Sequence, residues 1–235
     1  QCTDSWGGSQ LAQGLTVPSP TPAVNGRAAF SRCGRYRWLL ERCWCDPIPP
    51  QHQAHGHDTL IFCGLNPSRA DASSNDPTLR RLSGFAQAWG YRRLVVLNLF
   101  ALITPSPAAL RRHPRPVGLA NDVVLNSWLQ RWCRRPDWTL WLGWGAGGGL
   151  YRRDQWMAAR LSEVIRLRQE HGGSGPLCLG TTRSGHPRHP LYLPGSASLH
   201  HWMATPSAPL APPPAAAMVG IGHPGDNVWA CTVRG

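Results

Sequence analysis

Four short apolar runs, with helix-length segments between them, constrain this chain more than any other feature. They are TLIFCG over 59–64, LVVLNL over 94–99, WTLWL over 138–142 and PLCL over 176–179. A strand apolar on both faces must be covered on both faces, which is the signature of a parallel sheet between helix layers. The segments between the runs carry helix signals. Asp76 before Pro77 reads as an N-cap followed by proline in the first turn. Leu79, Leu82, Ala86 and Trp89 then share one face, and Gly90 closes the helix. A short helix is expected over 107–112, and longer ones over 119–133 and 152–170. The alternation predicts an α/β fold, a three-layer α/β/α sandwich with a mainly parallel sheet. The stretch from Arg35 to Trp44 reads as extended or as a short helix, broken by the prolines at 47, 49 and 50.

In such sheets ligands bind beyond the carboxyl ends of the strands, so the residues leaving each run carry the functional information. The first run ends in Gly64-Leu65-Asn66-Pro67, and the loop on to Pro77 is longer than a strand-to-helix turn needs. Asn66 either shapes that turn or faces a site. Asn98, inside an apolar run, needs partners for both donors and its carbonyl, so it is tied to backbone or faces a ligand. The glycines at 143, 145, 147, 148 and 149 could cradle a phosphate or allow close packing of helix on strand. No Lys-Ser/Thr follows them, which excludes a P-loop. His186 and His189 bracket prolines in a stiff loop, where a histidine can act as an acid or an oxyanion donor.

Composition bounds the remainder. Residues 1–30 and 204–235 are rich in Pro, Ser, Gly and Ala without periodicity and read as disordered tails, leaving one α/β domain over 31–203. The formal charge of +12 invites a nucleic-acid partner. All 24 basic residues are Arg, however, and this bias points partly to a GC-rich coding background. No apolar run approaches the length of a membrane span, and no secretory leader is visible. With eight irregularly placed cysteines, a reduced, cytoplasmic protein is expected. Cys33, Cys43 and Cys45, followed by His52, His55 and His57, match no closed zinc spacing, so neither metal nor cofactor is expected.

The segments GLNPSRADASSNDPTLRRLSGFAQAWGY, LVVLNLFAL, PVGLANDVVL and CLGTTRSGHPRHPLYLP closely resemble the domain-of-unknown-function family 1643 of bacteria, archaea and phages. The order of strand-end motifs is also similar to that of the uracil-DNA glycosylase superfamily. There, a first strand ends in a water-positioning Gly-x-Asn-Pro or related motif. A middle strand ends in an Asn that reads a base edge, a later strand runs into Trp-Gly, and the final loop carries His-Pro-x-Pro. The resemblance implies a glycosylase-like hydrolase acting on a nucleic acid or nucleotide. Asn66 would orient the attacking water, Asp71 would accept its proton, and His186 would stabilise the departing base. Asn98 would pair with the base edge, offering a donor and an acceptor. Ser68 and Arg69 would touch phosphate near the start of the helix at Asp76. Trp144, Gly145, Arg188 and His189 would complete the binding walls. Two departures stand out. Arg188-His189-Pro190-Leu191-Tyr192 replaces the small Ser-containing turn that grips duplex DNA, and Ser68-Arg69-Ala70-Asp71 is unlike the glycosylase loops. A non-catalytic module that recognises a modified base or nucleotide is the alternative.

Overall fold

The computed structural model describes residues 24–44, 58–68 and 75–203. Seven strands form one sheet. They are β1 (Val24–Phe30), β2 (Arg37–Trp44), β3 (Thr59–Gly64), β4 (Arg93–Asn98), β5 (Trp138–Leu142), β6 (Leu177–Cys178) and β7 (His200–His201). Four α-helices accompany them, α1 (Pro77–Ala88), α2 (Pro107–Arg112), α3 (Asn121–Arg134) and α4 (Arg153–Glu170). The strand order is β1-β2-β4-β3-β5-β6-β7.

The four strands expected from the apolar runs are the parallel centre, β4-β3-β5-β6. Both flanks are antiparallel, β1 and β2 on one side and β7 on the other. The sheet is therefore mixed, which corrects the expectation of a mainly parallel one. The reason is local. β1 and β2 are joined by a short turn in which Gly34 takes a positive φ of 68°, so they pair as a hairpin and need no crossover helix. β1 also lies within the stretch expected to be a disordered tail. Residues 1–23 and 204–235 lie outside the described residues.

Period-two alternation divides the core. From β4, Leu94 and Val96 pack with Leu79, Leu82, Phe85 and Ala86 of α1. Val95 and Leu97 face the opposite way, against Leu125, Trp128, Leu129 and Trp132 of α3 and Met157, Leu161 and Val164 of α4. α1 starts as expected, with the Asp76 carboxylate accepting the Leu79 N–H at 2.8 Å. On α4, the fully buried Arg168 guanidinium donates to the carbonyls of Trp132 (2.7 Å), Trp138 (2.6 Å) and Ser174 (3.0 Å), and also to that of Arg135. One side chain thus satisfies the end of α3, the turn into β5 and the exit from α4.

After β3 the chain moves to β4 on one side, whereas after β5 it moves to β6 on the other. The connections diverge between β3 and β5, and a doubly wound sheet opens a crevice at such a point. Among the described residues no helix is long and apolar enough to cross a membrane, and no group of three or more His, Cys, Asp or Glu is placed to hold a metal ion. Cys45, His52, His55 and His57 lie outside the described residues.

Candidate functional site

A cleft of about 360 Å³ lies at the switch point, within the range of small-ligand sites. Its floor is the Phe62 ring, held edge-on to Trp141 with centroids 4.8 Å apart. Leu65, Asn66, Pro67 and Ser68 enter from the end of β3, Asn98 from β4, and Trp144 and Gly145 from the end of β5. Thr78, Leu79 and Leu82 of α1 form one wall, and His189, Leu191 and Tyr192 form the mouth.

The glycines settle into a packing role. A Cβ on Gly143 would lie 2.5 Å from the Phe62 ring, one on Gly147 2.6 Å from Leu65, and one on Gly148 2.2 Å from Trp144. No side chain fits at any of the three. Gly145 has a positive φ of 65°, and its N–H donates to the Pro187 carbonyl at 2.8 Å, tying the end of β5 to the histidine-bearing loop.

Asn66 is anchored. Its Nδ2 donates to the carbonyls of Thr104 (2.7 Å), Pro67 (3.2 Å) and Leu102 (3.3 Å). The amide staples the β3 exit to the segment after β4, and only Oδ1 is left for other work. Asn98 is buried and lines the cleft. With its amide set by the hydrogen-bond network, Nδ2 donates to the carbonyls of Leu97 and Asn66, each at 3.3 Å. Both N–H groups are then used, and Asn98 offers a ligand its carbonyl oxygen rather than the expected donor-and-acceptor pair.

The two histidines exchange places relative to expectation. His186 is not among the residues that line the cleft. Its Nδ1 lies 3.6 Å from Oδ2 of Asp154 near the start of α4, and its ring approaches Gly149. His189 lines the cleft. Its Nδ1 accepts the Leu191 N–H at 3.3 Å, so the neutral ring carries its proton on Nε2. Burial holds the His189 pKa below the ordinary 6.5, which keeps the imidazole neutral at neutral pH. The loop's own bonds enforce this choice. Thr182 Oγ1 accepts the His186 N–H, the Thr182 N–H donates to the His186 carbonyl, and Thr181 bridges to Pro187.

Of the other expected site residues, Ser68, Trp144 and Gly145 line the cleft. Arg188 is exposed and does not. Arg69 and Asp71 lie outside the described residues. The structure adds Arg37, 3% exposed, at the start of β2. Because β2 runs antiparallel to β4, with Leu40 opposite Val96, its amino end lies beside the carboxyl end of β4. A reading built on parallel strands could not bring Arg37 there. The signal available was an arginine flanked by aromatic residues in RYRWLL.

Fold and cleft together define an α/β protein with a ligand-sized crevice at a topological switch point. The family model described as Protein of unknown function (DUF1643) matches residues 37–191, and the chain belongs to this family. The match begins at Arg37 and ends one residue before Tyr192, so it spans the cleft residues named above apart from Tyr192. Comparisons with curated proteins and with solved structures found no match.

Proposed function

We propose that the cleft binds a nucleobase and that the protein hydrolyses the N-glycosidic bond joining it to a sugar, on a three-layer framework of the uracil-DNA glycosylase kind. The observation that carries this reading is the convergence of Asn98 and His189 on one cleft floored by an aromatic ring. A base laid on Phe62 would give an N–H to the Asn98 carbonyl oxygen and accept from His189 Nε2–H. As the bond between sugar carbon and base nitrogen breaks, the electron pair leaves with the base. A neutral imidazole N–H fixed beside that charge stabilises the transition state more than the ground state. Water adds to the sugar carbon and gives its proton to Asp71, the base proposed from sequence.

One observation favours the non-catalytic alternative. Asn66 Nδ2 is committed to three backbone carbonyls, which removes it as a donor to a catalytic water. A binding module needs only Asn98, His189 and the apolar walls.

The test is a screen of single- and double-stranded DNA and RNA containing uracil, hypoxanthine or deazaguanine, with free base read by chromatography and binding read at two salt concentrations. Free base from one substrate, lost in Asn98→Ala, is the expected result. Binding without release establishes the module instead. Neither binding nor release rejects the nucleobase reading. A steep loss of affinity with salt identifies a polynucleotide substrate, and a flat response a small nucleotide.

A further inference from the structure

A second cavity, of about 410 Å³, lies between the hairpin and α3. Arg93, one of its lining residues, is the first residue of β4, whereas the cleft lies beyond the last. The two cavities therefore open at opposite ends of the sheet. Ala28, Ala29, Leu39, Val123 and Val124 give the second one apolar walls. Its polar groups are Glu41, Arg27, Arg93, Arg131 and Ser127.

These groups form a built site. The Glu41 side chain is 6% exposed, and its Oε1 takes Arg93 Nη2 at 2.9 Å. That pairing is single. Glu41 Oε2 and Arg93 Nε are both buried and have no hydrogen-bond partner. Buried polar groups in folded proteins are paired, and an orphaned acceptor beside an orphaned donor is the arrangement that a ligand edge with one donor and one acceptor completes. Two guanidinium groups hold the same aromatic wall, Arg93 at 5.5 Å and Arg131 at 5.2 Å from the Trp128 ring centre. Stacking on the ring orders the Arg131 fork at the edge of the cavity, which suits it to an oxyanion. Three arginines against one glutamate leave the lining cationic.

We infer that this cavity is a second ligand site that takes a nucleoside monophosphate. The base edge would pair with Glu41 Oε2 and Arg93 Nε, the flat body would lie on the alanine and valine walls, and the phosphate would meet Arg131. The inference is independent of the reading given to the cleft.

Calorimetric titration of the full chain with the four ribonucleoside monophosphates, with the corresponding nucleosides and with inorganic phosphate tests it. Glu41 supports the hairpin, so the informative variants are at exposed positions, Arg131→Ala to remove the phosphate contact and Ser127→Trp to fill the cavity. The expected result is binding of at least one monophosphate, weakened about tenfold or more by either substitution, equivalent to about 1.4 kcal/mol, and unchanged in Asn98→Ala. The matching nucleoside and free phosphate should each bind more weakly than the monophosphate. Three results would overturn the proposal. They are no binding of any monophosphate, binding indifferent to both Arg131→Ala and Ser127→Trp, and binding lost in Asn98→Ala, which would place the nucleotide in the cleft. Inorganic phosphate binding as tightly as the monophosphate would overturn the role given to Glu41 and Arg93.

Discussion

At the scale of single residues, His189 and Asn66 do different work from that expected of them. Burial depresses the His189 pKa, so below 6.5 the unfolded chain binds a proton that the folded state resists. The sign follows directly. Stability from this group is present above 6.5 and is lost as pH falls from there toward the lowered folded pKa. Proton-detected titration should show His189 protonating below 6.5, and His189→Gln should remove that part of the acid loss of stability. A midpoint at or above 6.5 would contradict the buried, neutral ring. For Asn66, removing a donor shared by three carbonyls leaves acceptors without their partner. Asn66→Ala should therefore destabilise by about 1–3 kcal/mol in denaturant unfolding, besides disturbing the cleft. An unchanged midpoint would mean that the staple is dispensable. Asn98 was legible from sequence because an amide inside LVVLNL has to be accounted for. The choice between His186 and His189 was not. Both stand in one HPRHP stretch, and the hydrogen bonds of Thr182 to His186 decide which ring reaches the cleft.

At the scale of elements, helix α1 matters because its first turn is a wall of the cleft. The Asp76 cap, rather than any catalytic role, accounts for that residue, and Asp76→Ala should cost about 1 kcal/mol of stability. Loss of base binding out of proportion to that cost would reopen a direct role for Asp76. Arg168 makes the larger contribution on α4. Arg168→Met retains much of the apolar stem but strands buried carbonyls at three chain reversals, and a loss of about 3 kcal/mol or more is expected on equilibrium unfolding. A loss below about 1 kcal/mol would show that water can replace the guanidinium. The central strands and helices were readable because continuous apolar runs and helix caps are local signals. β3, α2 and β5 start and stop where the sequence placed them. The flanking strands were not readable. β1, VNGRAAF, has little strand character of its own and is fixed by its pairing with β2, while β6 and β7 are two residues each. Pairing partners distant in sequence leave no periodic trace, and the antiparallel flank that delivers Arg37 to the cleft was missed for that reason.

At the scale of the whole molecule, divergent connections around β3 open a crevice, and residues from β2, β3, β4, β5, α1 and the loop after β6 meet in it. Convergence from so many elements is a property of the fold, and it gives the cleft its weight as the functional centre. The most direct test of that claim compares base release by the wild type with release by His189→Ala and His186→Ala, on whichever uracil-, hypoxanthine- or deazaguanine-containing substrate is cleaved. With His189 stabilising the departing base, His189→Ala should slow release by about 10²–10³-fold, whereas His186→Ala, acting outside the cleft, should stay within about tenfold of the wild type. Release abolished by His186→Ala and untouched by His189→Ala would contradict the account.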